Sequence, residues 1–245
     1  MPRLDLTLVA LKLAPTRSRA LDLIRRGFVS VNGVVITKAG AEMAADVQIV
    51  LSQSAPAYVS RGAEKLIAGL DHFGFAVAGM TAVDAGASTG GFTQVLLARG
   101  AKHVTAVDVG RDQLHATLRD DARVTVREGT DARALTAADF SHPLGAVVTD
   151  VSFISLEKAL PVTLQLAAPD AWLIALIKPQ FEVGRGNVGK GGIVRDEAAR
   201  QAVVARIAAW LESVGWTVAG VIPSPISGGD GNQEFLIGAR KGAMG

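Results

Sequence analysis

The sequence predicts an α/β protein: a mostly parallel seven-stranded sheet with an antiparallel last strand, preceded by a small N-terminal α+β module. Three observations carry this. From residue 60 onward, apolar strand candidates alternate with amphipathic helical stretches, the pattern of a parallel sheet covered on both faces. The last two strand candidates are joined by a loop too short for a helical crossover, so they pair antiparallel. Before residue 60 the pattern is instead two short helices and a hairpin. The expected domains are therefore residues 1–59, module plus linker, and residues 60–245.

In the module, a first helix runs from Arg3 to about Lys12, periodic in Leu and Val, and a second from about Ser18 to Arg26, with Gly27 placed to end it. V-S-V-N-G-V-V-I follows; Asn32-Gly33 between valine runs is a hairpin turn, because both residues tolerate positive φ. The order R-L-D-x-x-L, then S-R-x-x-A-x-x-L-I-x-x-G-x-V-x-V-N-G, resembles the S4 RNA-binding domain over residues 2 to about 50. The resemblance implies that Arg17, Arg19, Arg25 and Arg26 face RNA phosphates, with Arg3 and Lys38 beside them. Charge agrees in sign: residues 1–59 hold seven basic and four acidic side chains, the remainder 18 and 19. Residues 53–56 read as a linker.

Composition excludes several chemistries. With no cysteine among 245 residues there is no disulfide, zinc ribbon, iron–sulfur cluster or cysteine nucleophile. MPRLDLTLVALKL has charges inside its apolar stretch and no cleavage pattern, so it does not read as a signal peptide. No window approaches the roughly 18 apolar residues of a membrane span. A cytoplasmic protein with no membrane partner and no metal is expected, as a monomer.

The strand candidates of the second domain are Thr81–Asp84, His103–Asp108, Val124–Arg127, Ala146–Asp150, Trp172–Lys178, Trp216–Ile222 and Glu234–Ala239; the last helix spans about Asp196 to Ser213. V-D-A-G-A-S-T-G-G-F-T (83–93) closes a strand on an acid and opens a helix through a tight glycine turn. It is neither a G-x-G-x-x-G nor a Walker loop. It is similar to the S-adenosylmethionine loop of class I methyltransferases; a purely structural glycine turn competes with that reading. The similarity implies cofactor contacts from Asp84, Gly86, Ser88, Thr89, Gly90, Gly91 and Phe92. Asp108 ends the next strand, where an acid accepts bonds from ribose hydroxyls. Asp131 follows the third strand at a similar depth, with a solvated loop carboxylate as its alternative.

The fourth strand ends A-V-V-T-D-V-S. The Asn/Asp-Pro-Pro-Tyr/Phe of amino methyltransferases is absent and composition excludes cysteine-dependent pyrimidine methylation, which leaves an oxygen as target. The fifth, A-W-L-I-A-L-I-K-P, ends on Lys178 and is stopped by Pro179. Ligands bind outside the carboxyl ends of parallel strands, so Asp84, Asp108, Asp150 and Lys178 converge on one crevice. Glu234 starts an antiparallel strand, which brings it to the same edge. Lys65, in the helix leading into the fold, reads by itself as a surface lysine.

Lys65, Asp150, Lys178 and Glu234 match the K-D-K-E tetrad of FtsJ-like ribose 2′-O-methyltransferases. The runs V-S-R-G-A-E-K-L, D-A-G-A-S-T-G-G-F-T, D-V-S-F-I-S, I-K-P-Q-F-E-V-G and G-N-Q-E-F resemble the TlyA/haemolysin A family, which joins an S4 domain to such an enzyme. The resemblance implies a Rossmann-like class I fold, S-adenosylmethionine as donor and 2′-O-methylation of cytidine in ribosomal RNA. The short termini resemble the type that modifies large-subunit RNA, with small-subunit RNA as the further candidate target. Two departures stand out: P-A-Y-V (56–59) replaces R-x-W-V, and Asp131 replaces a frequent Asn. The expected mechanism has Lys178 take the hydroxyl proton, with positive neighbours favouring its neutral amine. Asp150 and Lys65 orient it and the ribose, and Glu234 holds Lys65 or the hydroxyl. The alternatives are an RNA-binding protein with an inactive methyltransferase body, a membrane-active haemolysin, and an amino methyltransferase.

Overall fold

A computed structural model of the chain describes residues 2–44, 46–52, 58–184, 186, 188–228 and 231–242. The chain divides into two compact units, residues 1–61 and 62–245. The linker 53–56 and the first half of P-A-Y-V fall outside the described residues.

The N-terminal unit contains α1 (Leu4–Ala10), α2 (Arg17–Arg25), β1 (Val29–Val31), β2 (Val34–Val35) and β3 (Ile49–Leu51). Helix α1 is shorter than the periodicity suggests: Arg3 is its N-cap and Lys12, at φ 57°, has already left the helical region. Thr16 caps α2 by accepting from the Arg19 N–H at 3.2 Å. The expected turn forms, with Asn32 at φ 50° and Gly33 at 81°. The sequence reading lacked β3, which pairs antiparallel to β1 on the side away from β2. Leu4, Leu8, Leu23, Ile24 and Val29 form the core.

The larger unit runs α3 (Gly62–Phe73), β4 (Thr81–Ala85), α4 (Gly91–Ala98), β5 (His103–Asp108), α5 (Ala116–Arg119), β6 (Val124–Glu128), β7 (Leu144–Thr149), α6 (Leu156–Ala159), α7 (Pro161–Leu166), β8 (Ala167–Ile177), α8 (Pro179–Glu182), α9 (Glu197–Ser213), β9 (Trp216–Pro223) and β10 (Phe235–Lys241). Among the described residues its strands form one sheet of seven, in the order β6-β5-β4-β7-β8-β10-β9. Pairs from β6 to β8 are parallel, and β10 is antiparallel to both neighbours. Strand β8 begins earlier than expected because Ala167 already pairs with Leu144.

Two features of this sheet place the site. Order reverses direction between β4 and β7, the switch point where α/β folds open a crevice. The pairing of Phe235 with Ile177 sets the start of β10 beside the end of β8, so Glu234 and Lys178 share an edge. Helix α3 packs close on that sheet at Gly69, where a Cβ would meet the Ile174 side chain at 3.2 Å.

Candidate active site

Three strands and one helix deliver the four charged residues to one point. Lys178 follows β8 directly, and Pro179 starts α8, so the chain turns there. Its Nζ lies 2.6 Å from Asp150 Oδ1. The same ammonium donates to the Asp150 carbonyl at 3.1 Å and the Ser152 hydroxyl at 2.7 Å. Asp150 follows β7 and presents its second oxygen, Oδ2, to Lys65 Nζ at 3.7 Å. Lys65, on the sheet-facing side of α3, donates to Glu234 Oε2 at 2.7 Å. Lys65, Lys178 and Glu234 are all buried. The result is an alternating chain of charges, Lys178–Asp150–Lys65–Glu234, in which each buried charge has an opposite neighbour.

Beside it lies a cavity of about 600 Å³, lined by Gly86, Ser88, Asp108, Asp131, Asp150 and Ser152 among others. Asp108 is held by backbone: Oδ2 accepts from the Ser88 N–H at 2.8 Å and Oδ1 from the Gly110 N–H at 2.7 Å. Asp131 caps a 3₁₀ turn and bonds Arg133, whose guanidinium holds its carboxyl below the usual range. Gly86, at φ 83°, lets the turn approach Val151, whose Cγ1 would sit 3.0 Å from an added Cβ.

Other expected residues lie elsewhere. Asp84 does not line the cavity. It is fully buried, and its Oδ2 accepts from the Thr93 N–H at 2.9 Å and the Thr93 hydroxyl at 2.7 Å. Burial raises its carboxyl to about 7, against the Thr93 bonds. Its other oxygen, Oδ1, has no hydrogen-bond partner among the described residues. Thr89, Gly90, Gly91 and Phe92 stand behind the lining: Gly90 caps α4, and Phe92 is core.

Several residues that the sequence reading passed over shape the site. Ser152 holds Lys178. Phe153 is 90% exposed at the cavity mouth with a left-handed backbone (φ 66°), its ring 5.0 Å from that of Phe181. Glu128 accepts the N–H groups of Asp112, Gln113 and Leu114, pinning the loop behind the cavity. Those bonds, Leu114 foremost, hold its carboxyl below the ordinary range. Buried Asn232 ties the Glu234 loop to Val194 and Gly192. The quoted runs D-V-S-F-I-S and G-N-Q-E-F contain three of these, but a hydroxyl, an aromatic or an amide inside a loop carries no period that marks it.

In the N-terminal unit, Arg25, Arg26 and Lys38 are exposed, and Arg3 and Arg17 are half-exposed. Arg19 is not on the surface. Its guanidinium is buried against Asp22 at 2.6 Å, an i,i+3 pair within α2, so its expected RNA-facing place gives way to a role inside the unit.

Residues 58–241 match the FtsJ-like methyltransferase family and residues 2–42 the S4 domain. The chain belongs to the FtsJ-like methyltransferases. Among them it is 45% identical over 239 residues, 97% of this chain and 89% of the relative, to a Mycobacterium tuberculosis protein named 16S/23S rRNA (cytidine-2′-O)-methyltransferase TlyA. It is 40% identical, over 90% of this chain and 92% of the relative, to Hemolysin A of Brachyspira hyodysenteriae. A solved protein from Streptococcus thermophilus that also carries a hemolysin name superposes with a TM-score of 0.79 at 39% identity, covering 98% of this chain and 88% of that one. The FtsJ-like match thus spans the whole cavity and all four residues of the charged chain. No helix among the described residues is long and apolar enough to cross a membrane.

Proposed function

We propose that this chain transfers a methyl group from S-adenosylmethionine to the 2′-oxygen of a cytidine in ribosomal RNA. The observation that carries the reading is the Lys178–Asp150–Lys65–Glu234 chain at the rim of a cavity of about 600 Å³.

The cavity fits the cofactor. Its walls combine apolar faces, Val107, Val109 and Ile154, with the carboxylates of Asp108 and Asp131. Asp108 is placed for ribose hydroxyls, Gly86 and Ser88 for close backbone approach, and Asp131 for the base end. When bound, S-adenosylmethionine supplies a methyl group activated by its sulfonium.

A ribose hydroxyl is a poor nucleophile at neutral pH and needs its proton removed as it attacks. Lys178 is the base. Its Nζ donates to the Asp150 carbonyl and to Ser152 Oγ, and forms an ion pair with Asp150 Oδ1, which accepts no hydrogen bond among the described residues. A neutral amine has one N–H fewer. The two that remain keep the bonds to the Asp150 carbonyl and Ser152 Oγ. The lone pair so freed meets the 2′-hydroxyl. Lys65, fixed by Glu234, sets a positive charge where negative charge grows on the 2′-oxygen. Phe153 offers a flat face for an unstacked base. Arg3, Arg17, Arg25, Arg26 and Lys38 supply phosphate contacts.

The test incubates the protein with labelled S-adenosylmethionine and separate large and small ribosomal subunits, then maps the label. Label on a cytidine 2′-oxygen is expected, and the two arms decide which subunit is the partner. Label on a base or on protein overturns the reading. Dye release from vesicles by the pure protein would favour the membrane-active alternative.

A further inference from the structure

We propose that Asp5 is a positioning residue for RNA binding: a buried carboxylate that holds Arg3 and Arg17 as one preformed pair for backbone phosphate. The inference rests on the RNA-binding reading of the N-terminal unit.

Asp5 lies in the first turn of α1 and is fully buried. Its Oδ1 accepts from Arg3 Nε at 3.0 Å. Its Oδ2 accepts from Arg3 Nη2 at 3.1 Å and Arg17 Nε at 2.8 Å. Burial works against the ionised form, but the bonds from Arg17 and Arg3 hold the carboxyl below its usual range. The carboxylate is therefore a charged anchor, and two guanidiniums from two different helices share one of its oxygens.

The arrangement is more than a buried acid needs. One arginine neutralises one carboxylate, and the pair leaves one positive charge in excess. The arginine side chains remain 45% and 55% exposed while the acid is at 0%. Arg17 spends only Nε on Asp5, so neither of its Nη groups, nor Nη1 of Arg3, belongs to the bond pattern to Asp5. The position of Arg17 also runs against helix electrostatics: it is the first residue of α2, a helix end where cations are disfavoured and anions favoured. A bound phosphate would turn that conflict into an attraction.

The gain from such a brace is preorganisation. A loose arginine gives up much of its rotamer entropy when it is fixed. Two that are already fixed by one carboxylate give up little on binding, and their free N–H groups match phosphate oxygens.

Charge alone and the brace make opposite predictions for Asp5→Asn. The substitution deletes a negative charge, so simple attraction to a polyanion would tighten binding. The brace predicts affinity weakened at least ten-fold. The measurement is the dissociation constant of the full-length chain for purified ribosomal RNA across a potassium chloride series, with thermal unfolding as the folding check. The slope of log affinity against log salt should flatten by about 0.7–0.9, one phosphate contact. Arg17→Lys keeps net charge but loses the fork; it should weaken binding several-fold and decides the matter where Asp5→Asn unfolds. In an Arg17→Ala background, Asp5→Asn should cost clearly less than in the wild type. Unchanged or tighter binding by a folded Asp5→Asn chain, or unchanged binding by Arg17→Lys, overturns the proposal. A wild-type chain that does not bind RNA in a salt-dependent way overturns the RNA-binding reading itself.

Discussion

Lys65 and Glu234 meet at 2.7 Å across 169 positions of sequence, both buried, and Asp150 lies on the far side of the lysine. Removing Glu234 leaves the buried Lys65 with only the longer Asp150 contact at 3.7 Å; breaking a buried pair costs up to about 3–5 kcal/mol, whereas replacing both partners by apolar groups is often neutral. Glu234→Leu alone should therefore destabilise strongly in urea unfolding. The double variant Lys65→Met/Glu234→Leu should regain most of that stability without regaining methyl transfer. A double variant as unstable as the single one would show that the pair is not a closed unit.

Lys178→Ala should lower turnover by about 10²–10⁴-fold, the usual contribution of a positioned base. Cofactor affinity by calorimetry should stay within about three-fold, since Lys178 bonds Asp150 and Ser152 and is not among the cavity-lining residues. Wild-type turnover in this variant would remove Lys178 from the base role.

Phe153→Ala should raise KM for RNA by a larger factor than it weakens S-adenosylmethionine binding, since the ring stands at the cavity mouth. An aromatic face stacked by a base is worth about 1–3 kcal/mol, so the expected rise is roughly 5- to 150-fold. An unaltered KM would mean that the exposed ring does not touch substrate.

Asp84 gives a pH signature. Its carboxyl is raised from 3.8 to about 7, so the folded chain binds its proton more tightly than the unfolded one. The associated stability is present below about pH 4 and is lost as pH rises toward about 7, with a steepest slope of about 1.4 kcal/mol per pH unit. Unfolding of the ligand-free wild type and Asp84→Asn between pH 4 and 8 should give a difference that shifts in the variant's favour across this window. A flat difference would contradict it.

Gly90→Ala tests the glycine turn. An added Cβ would fall 2.3 Å from Leu118 Cδ1 and 2.8 Å from Leu114 Cδ1, at φ 94°. Both leucines are buried and cannot simply swing away. A loss of about 1–3 kcal/mol is expected from overpacking and strain, read as a lowered denaturation midpoint.

How far the site was legible depended on what each residue's position declares. Lys178 and Asp150 were visible because a charge closing an apolar run marks the carboxyl end of a strand. Glu234 followed from the antiparallel sense of β10, and the register with β8 bears that out. Asp84 shared the signal but not the outcome. In register Asp84 pairs with Ala106 and Val148, so it lies two residues short of the edge that Asp108 and Asp150 reach, and its carboxyl bonds Thr93 on α4 instead of lining the cavity. Arg19 was misplaced for a related reason: composition counts its charge but not the helix face that buries it against Asp22. Only the resemblance singles out Lys65, since nothing local separates a helix lysine turned to the sheet from one turned to water.

The sequence by itself determined the two-part architecture, the strand–helix alternation, the Asn32-Gly33 turn and the family. These depend on local periodicity, on turn residues and on ordered motifs, all written within short windows. The tertiary structure decided which charges meet. Sheet order and register join Lys65 to Glu234, and one buried acid collects arginines from two helices. Such pairings depend on distances between segments far apart in the chain, and on the desolvation that makes an unpaired charge untenable, and neither is present until the core has closed around them.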